Sequence, residues 1–351
     1  MAPAVHQAVT GAGPYDAVSE QMRAWRRLLA RAGYGGADFA GQVDHGARAH
    51  FAPLERLEPA PGDLTVIRYS AWSPALGRLL ERPGPKLLVY HNITPPGFLW
   101  RHSPGLAVQC AVGRLQLPAF VRAARVITAD SEYNAGELRA AGAGEPRVVP
   151  VLFDGERLSA RGRGPDGDGP LVLVVGRLVP NKRHDRVFNA FAAYQRECAP
   201  DARLLCVGTA LTPGYLALLR TLANASGASN IDFTGGLPQD QVNAAYARAD
   251  VLLTLSEHEG FCVPLLEAFH FGVPVVAAPA GAVPGVADDA ALYTDGDHAV
   301  TAELLDLAVR DSALRSELAR RGRERLERFA YERTAAAVLD AVRAALTRTP
   351  G

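Results

Sequence analysis

Short runs of apolar residues alternate with longer segments of helical period along most of the chain. In the first half the runs are Val5–Val9, Leu64–Tyr69, Lys86–His91, Arg125–Asp130 and Arg147–Asp154. Helical patterns lie near 15–32 and 74–81, up to about Ala124, and after Asp130. Apolar runs this continuous predict parallel strands covered on both faces, each followed by its helix. Phe39–Glu58 has no clear period and reads as one short strand with irregular chain. The rhythm stops at Ser159–Pro170, SARGRGPDGDGP, where Gly, Pro and charge dominate, as expected of a linker. It restarts with Leu171–Arg177, Arg203–Gly208, Ile231–Gly235, Asp250–Ser256 and Val273–Ala278, with helices near 183–197, 214–225, 238–248 and 263–271. From about Thr301 the chain reads as helical, with an apolar stripe through Leu304, Leu307, Leu314, Leu318 and Leu326. The pattern predicts an α/β protein of two doubly wound domains: 1–158, a linker at 159–170, 171–333, and a final helix at 334–351. In such sheets ligands bind beyond the carboxyl ends of the strands.

Composition agrees with this division. A length of 351 residues exceeds the usual single domain, and 48% hydrophobic with 21% charged residues supports a large core in each half. Lys+Arg and Asp+Glu balance at 37 each, so no bulk positive field exists to hold nucleic acid. Cys110, Cys198, Cys206 and Cys262 form no C-x-x-C pair and no Cys/His ligand spacing, which predicts reduced thiols and no zinc site. The opening MAPAVHQAVTGAGPYD lacks the basic start and apolar core of a secretory signal. Val273–Ala287 is too short and too broken by proline to span a bilayer. The expectation is a cytoplasmic chain, at most peripheral to the inner face of the membrane. Arg23, Trp25, Arg26, Arg27 and Arg31 on the first helix read as a solvated face, with a membrane-facing role as the alternative.

Two segments leave a strand at its carboxyl end and open a helix. In Glu259-Gly260-Phe261-Cys262-Val263-Pro264-Leu265-Leu266-Glu267, Pro264 suits the first helical position, where its missing N–H costs nothing. The amides around Phe261–Val263 then form an anion site at a helix N-terminus. Glu259 lies just before that site and Glu267 one turn inside the helix, placed either to accept from sugar hydroxyls or to cap the helix. In Gly176-Arg177-Leu178-Val179-Pro180-Asn181-Lys182, Arg177 and Lys182 bracket a position suited to a diphosphate. Lys86 and Lys182 are the chain's two lysines; every other side-chain cation but histidine is arginine, so a lysine here points to a positional demand.

GRLVPNK and EGFCVPLLEAFHFGVPVVA together resemble glycosyltransferase family 4, the nucleotide-sugar-dependent retaining enzymes of GT-B fold. The resemblance covers most of 171–290 by motif and the N-terminal half by architecture and a few residues. It implies two Rossmann-like domains with a cleft between them. It implies that Glu259 contacts donor sugar hydroxyls, Glu267 the ribose, and Arg177 and Lys182 the diphosphate. It implies that Gly176, Gly260, Phe261, Cys262 and Val263 line the donor through backbone, with Cys262 standing where the family often has glycine. Gly11 and Gly13, after the first strand, resemble the family's glycine loop toward the diphosphate. GAGPYD is not a dinucleotide fingerprint, because Asp16 replaces its third glycine.

His91 resembles a histidine the family places near the reacting sugar; alone it reads equally as a histidine satisfied at a strand end. Asp130-Ser131 reads as a helix N-cap or a cleft residue. Phe98–Arg101 reads as core cover or as an acceptor platform. Asp166-Gly-Asp168 and Asp295-Gly-Asp297 lie in polar turns where aspartate is common, so no metal is expected. The reading is a retaining hexosyltransferase with no cofactor. Its donor is a UDP- or GDP-sugar, and its acceptor is a saccharide, a lipid-linked or a small-molecule hydroxyl. A nucleotide-sugar epimerase of the same fold and a Rossmann-type oxidoreductase are the rivals.

Overall fold

A computed structural model describes residues 3–159 and 168–347; most of the expected linker therefore lies outside the described residues, as does Asp166. The described residues divide into two compact units. The first runs to Trp100, resumes from Pro104 to Leu152 and takes in the chain from Tyr331; the second comprises Arg101–Ser103 and Phe153–Ala330. The divides fall at Leu152/Phe153 and Ala330/Tyr331, where the sequence reading placed 158 and 333.

The first unit contains β1 (Val5–Ala12), α1 (Ala17–Arg31), β2 (Asp38–Val43), β3 (Ala52–Pro53), β4 (Leu64–Tyr69), α2 (Pro74–Arg78), β5 (Lys86–Tyr90), α3 (Pro104–Ala123), β6 (Val126–Ala129), α4 (Glu132–Ala140) and β7 (Arg147–Val148). Its sheet is parallel, in the order β3-β2-β1-β4-β5-β6-β7. The second unit contains β8 (Leu171–Val175), α5 (His184–Glu197), β9 (Arg203–Val207), α6 (Pro213–Ala225), β10 (Ile231–Gly235), α7 (Gln239–Arg248), β11 (Val251–Thr254), α8 (Val263–Phe271), β12 (Val275–Ala277), α9 (Val283–Ala287), β13 (Leu292–Tyr293), α10 (His298–Arg310) and α11 (Ser312–Arg328). Its sheet is also parallel, in the order β10-β9-β8-β11-β12-β13. In each sheet the strand order reverses beside the first strand, where adjacent βα loops diverge and ligands of such folds sit.

The last helix, α12 (Tyr331–Thr347), returns to the first sheet. Val338, Ala341, Val342 and Ala345 share one core with Val5, Leu64 and Leu87. In the second unit α5 is sunk between sheet and α10, and Phe188, Phe191 and Tyr194 are fully buried.

Four sequence expectations need correction. The run at 147–154 pairs only as far as Val148, apart from the Val149 amide on Ala129; Pro150 has no N–H for the ladder, and Leu152 instead exchanges backbone hydrogen bonds with the Gln21 side chain (2.7 and 3.1 Å). Phe39–Glu58 holds two strands, because β3 adds a two-residue edge. The tail is three helices. Asp311 caps α11 and splits the stripe between α10 and α11, and within α10 Leu305 is buried while Leu307 is 47% exposed. Trp25 and Arg26 are not on a solvated face: Trp25 is buried and Arg26 pairs with Asp38 at 2.6 Å.

Candidate functional site

The loop after β8 turns at Gly176, whose φ of 137° is open to glycine, and a Cβ there would come 3.5 Å from Lys182 Nζ. Lys182 ends the short 3₁₀ turn Pro180–Lys182. Asn181 in that turn is buried; its Nδ2 donates to the His258 carbonyl (3.0 Å), and its carbonyl accepts from the Glu257 amide (2.8 Å). Asn181 therefore ties the loop after β8 to the loop after β11. Glu259, only 7% exposed, is thereby brought to Lys182, which donates to its Oε1. Burial pulls the Lys182 pKa down, but the Glu259 carboxylate outweighs it and holds the ammonium above its usual range.

Gly281 packs against the backbone of Glu259. It sits at φ 58°, a Cβ there would overlap the Glu259 carbonyl oxygen, and the Ala282 amide donates to that oxygen at 3.0 Å.

Two acids close together in sequence diverge in space. Glu257 pairs outward with Arg183 and with Arg186 (2.9 Å), whereas Glu259 turns inward. Arg177 is exposed and has no carboxylate partner among the described residues, so its charge is available to a ligand. His184 opens α5 beside Lys182, fully buried. Burial, with the nearby ammonium, lowers its pKa to about 4, so it is neutral.

The α8 end of the site is built on strained backbone. Cys262 is the N-cap at φ 75°, ψ 67°, a left-handed conformation that glycine adopts without cost and a side chain does not. Burial, then the Glu259 charge, push its thiol up, so it remains protonated. Phe261 points its ring inward against Phe329 (5.6 Å, 85°), leaving its backbone for a ligand. The amides of Phe261, Cys262 and Val263 have no acceptor in the protein among the described residues. Val263 is the first helical residue, so Pro264 is the second rather than the first. Gly260 lies between Glu259 and these amides.

One turn on, Glu267 accepts from Tyr246 Oη (2.8 Å) and, at 3.5 Å, from Gln239 Nε2. Tyr246 is fully buried and stacks on Phe271 with the rings 2° from parallel. Burial raises the Glu267 carboxyl above its ordinary value, opposed by the two donors.

In the first unit, β1 continues through Ala12, with Gly11 paired opposite Gln42. Gly11 is thus a strand residue, not part of the loop. Gly13 is in the loop; its amide donates to Ser19 Oγ (3.1 Å), and a Cβ would crowd Asp44 Oδ2 at 2.9 Å. Asp16 caps α1 by accepting from the Ser19 amide at 2.8 Å. His91 leaves β5 and is held at both ring nitrogens: Nδ1 lies 2.6 Å from Asp130 Oδ2, and Nε2 lies 3.1 Å from Arg68 Nη1. Asp130 therefore binds His91, while Ser131 caps α4. In the 98–101 segment Leu99 is buried and Trp100 is 48% exposed. Asp297 caps α10 through the Ala299 and Val300 amides (2.9 and 3.0 Å), and Asp295 accepts from the Asp297 amide (2.9 Å).

The sequence reading did not single out Asn181, His184, Tyr246, Gln239 or Arg68. Asn181 stood inside the GRLVPNK segment without a role of its own, and Arg68 left a trace as a charge inside the apolar run LTVIRY. Among the described residues no three His, Cys, Asp or Glu side chains cluster as a metal ion would need, and no helix is long and apolar enough to cross a membrane.

Comparison with known proteins places this geometry. Residues 157–325 match the family model of glycosyl transferases group 1. D-inositol 3-phosphate glycosyltransferase of Segniliparus rotundus is 32% identical over 236 residues, 63% of this chain; the chain spans about half of that relative, 52%. Sucrose-phosphate synthase from Thermosynechococcus elongatus has the same fold, with a TM-score of 0.74 at 20% identity over 97% of this chain and 98% of that one. Anabaena HepE, solved in complex with UDP-glucose, gives 0.69 at 18% identity over 97% and 99%. The chain thus has the GT-B fold, and the segment that carries Lys182, Glu259 and Glu267 is similar to glycosyl transferases group 1.

Proposed function

We propose that this protein is a retaining glycosyltransferase that moves a hexosyl group from a nucleoside diphosphate sugar to an acceptor hydroxyl. The observation that carries the reading is the Lys182–Glu259 pair beside the free amides of Phe261–Val263, with Glu267 fixed one turn away. A diphosphate at the amides draws Lys182 and Arg177 to its charge. Glu259, released from Lys182, then accepts from sugar hydroxyls. Glu267 accepts from the ribose hydroxyls. As the bond from sugar to phosphate breaks, negative charge grows on the diphosphate, and the two cations and the amides stabilise it. The leaving phosphate takes the proton of the attacking hydroxyl on the same face, so configuration is retained without a protein nucleophile. The resemblance assigns Gly13 to the diphosphate and His91 to the sugar. The donor is a UDP- or GDP-sugar; HepE, which shares the fold, was solved with UDP-glucose.

The reading is tested by calorimetry with UDP and GDP, followed by transfer assays with their sugars. Micromolar binding of one nucleotide and sugar transfer from its donor are expected, and failure of both nucleotides to bind would overturn it. No metal is needed on this mechanism, since two cations occupy the diphosphate side. Activity is therefore expected to persist in excess EDTA. A loss in EDTA that Mg²⁺ restores would contradict it.

Glu267→Ala should weaken free nucleoside diphosphate binding by about 1–3 kcal/mol, because the carboxylate's hydrogen bonds to the ribose are lost. Glu267→Gln separates binding from stability. Burial raises the Glu267 pKa, so in the window above its ordinary value of 4.5 the native state binds more protons than the unfolded chain. Stability contributed by the protonated form is lost as pH rises through the folded value. At neutral pH Glu267→Gln should melt no lower than wild type while binding nucleotide more weakly. A lower melting temperature with unchanged affinity would reassign Glu267 to a structural role.

A further inference from the structure

One polar chain crosses five neighbouring strands of the first sheet. Asp38 begins β2, Gln7 lies on β1, Arg68 on β4, and His91 and Asp130 follow β5 and β6; these strands are adjacent in that order. Arg26 donates to Asp38 Oδ1 (2.6 Å from Nη2), and Gln7 Nε2 donates to the same oxygen (2.9 Å) and to the Met22 carbonyl (2.9 Å). Arg68 donates through Nε and Nη2 to Gln7 Oε1 (3.0 and 2.8 Å), with Nη1 directed at His91 Nε2. The Trp25 ring covers the guanidinium at 4.3 Å. Arg68 is the largest fully buried side chain among the described residues.

A guanidinium without solvent is costly. Burial lowers the Arg68 pKa to about 10, against the charges of Asp130 and Asp38, so it is still a cation at neutral pH. An apolar residue would fill the same volume without that cost. What only the guanidinium supplies is a donor aimed at the imidazole. Arginine has no acceptor, so Nε2 accepts and the single ring proton lies on Nδ1, where Asp130 takes its hydrogen bond. The charges in the chain balance with His91 neutral, since Arg26 and Arg68 face Asp38 and Asp130.

We propose that Arg68 is a positioning residue for His91, fixing the tautomer and the plane of its ring from within the sheet. The inference deepens the proposed function and rests on the role that the resemblance gives His91 toward the sugar. In this arrangement both ring nitrogens are committed to the protein. His91 therefore shapes the site through a fixed ring and backbone and carries no proton between substrates.

The test joins a spectrum to kinetics on the full chain. Nitrogen-15 NMR of imidazole-labelled protein, with His91→Gln identifying the signal, should show the proton on Nδ1 and a bare Nε2. A proton on Nε2 overturns the proposal. Arg68→Met should leave Nε2 without its donor, release the plane of the ring and lower kcat roughly 100-fold, a loss typical of a misplaced site group, with donor KM within about twofold. Arg68→Lys, which keeps a donor and a charge, should recover about tenfold of it. Wild-type kcat in a folded Arg68→Met overturns the proposal. Should Arg68→Met not fold, the wild-type spectrum and Arg68→Lys decide: a retained Nδ1 proton with an intermediate kcat supports the inference, and unchanged kcat with a changed tautomer overturns it. If the wild type transfers no sugar from any donor, the proposed function fails while the Nε2 signal compared between wild type and the Arg68 variants still decides the Arg68–His91 link.

Discussion

Glu259→Gln should transfer sugar roughly 10²-fold more slowly than wild type while binding free nucleoside diphosphate as well or slightly better. The carboxylate sits beside the proposed position of the diphosphate, and it is paired with Lys182. Replacing it with a neutral amide frees the ammonium for the diphosphate and removes one repulsion, so affinity for the nucleotide does not fall. The sugar loses a charge-assisted acceptor and with it the orientation of its reacting carbon. The informative measurement is a pair: calorimetric affinity for the diphosphate, and turnover with the full donor. Affinity lost in Glu259→Gln but kept in Glu267→Ala would mean that the two acids have exchanged roles. No change in either quantity would make the segment an ordinary strand–helix joint.

Lys182→Ala should be more damaging, because it acts on both stability and chemistry. It leaves Glu259 buried without its cation, which costs about 3 kcal/mol when one partner of a buried pair is removed, and it removes a charge from the diphosphate, with a loss of roughly 10²–10³-fold in turnover. The double variant Lys182→Ala/Glu259→Gln separates the two effects. It should recover most of the melting temperature, since no carboxylate is stranded, and none of the activity. Recovery of turnover in the double variant would show that the lysine serves only to neutralise Glu259. Lys182→Arg should stay slow, because a planar fork does not replace a point charge in a pocket shaped by Asn181 and Gly176. Arg177→Ala should lower turnover without lowering the melting temperature, since Arg177 is exposed.

The sign of the pH effect follows from the same pair. The Lys182 pKa is higher folded than the ordinary 10.5, so the pair's contribution to stability is complete below that value and is lost as pH rises through the folded pKa.

The strand runs at Leu64–Tyr69 and Ile231–Gly235 and the helix at Val263–Phe271 lie where periodicity placed them, because alternation and apolar run length report local backbone and burial directly. The pattern failed where a local feature outweighed it. Pro150 ended a strand early, and Asp311 divided one apparent stripe between two helices. Gly11 was drawn into β1 because pairing with β2 continues past the point where the apolar run stops.

By itself the sequence determined the repeated βα order, the division into two sheets, and the placement of Arg177, Lys182, Glu259 and Glu267 in the loops and first helical turns that follow strands. These properties belong to segments of a few to a few tens of residues, and chain order transmits them. Partnership was decided only by the tertiary structure. Lys182 and Glu259 are 77 residues apart and meet because β8 and β11 are neighbours in the sheet, with Asn181 clamping their loops together. Which of Glu257 and Glu259 turns inward depends on Arg183 and Arg186 holding the other outside. Tyr246 reaches Glu267 because α7 packs beside α8. The burial of Arg68 against Trp25, and the chain it completes to His91, required five strands to be ordered side by side. No spacing in the sequence encodes that order, because it is set by which apolar faces can be covered together.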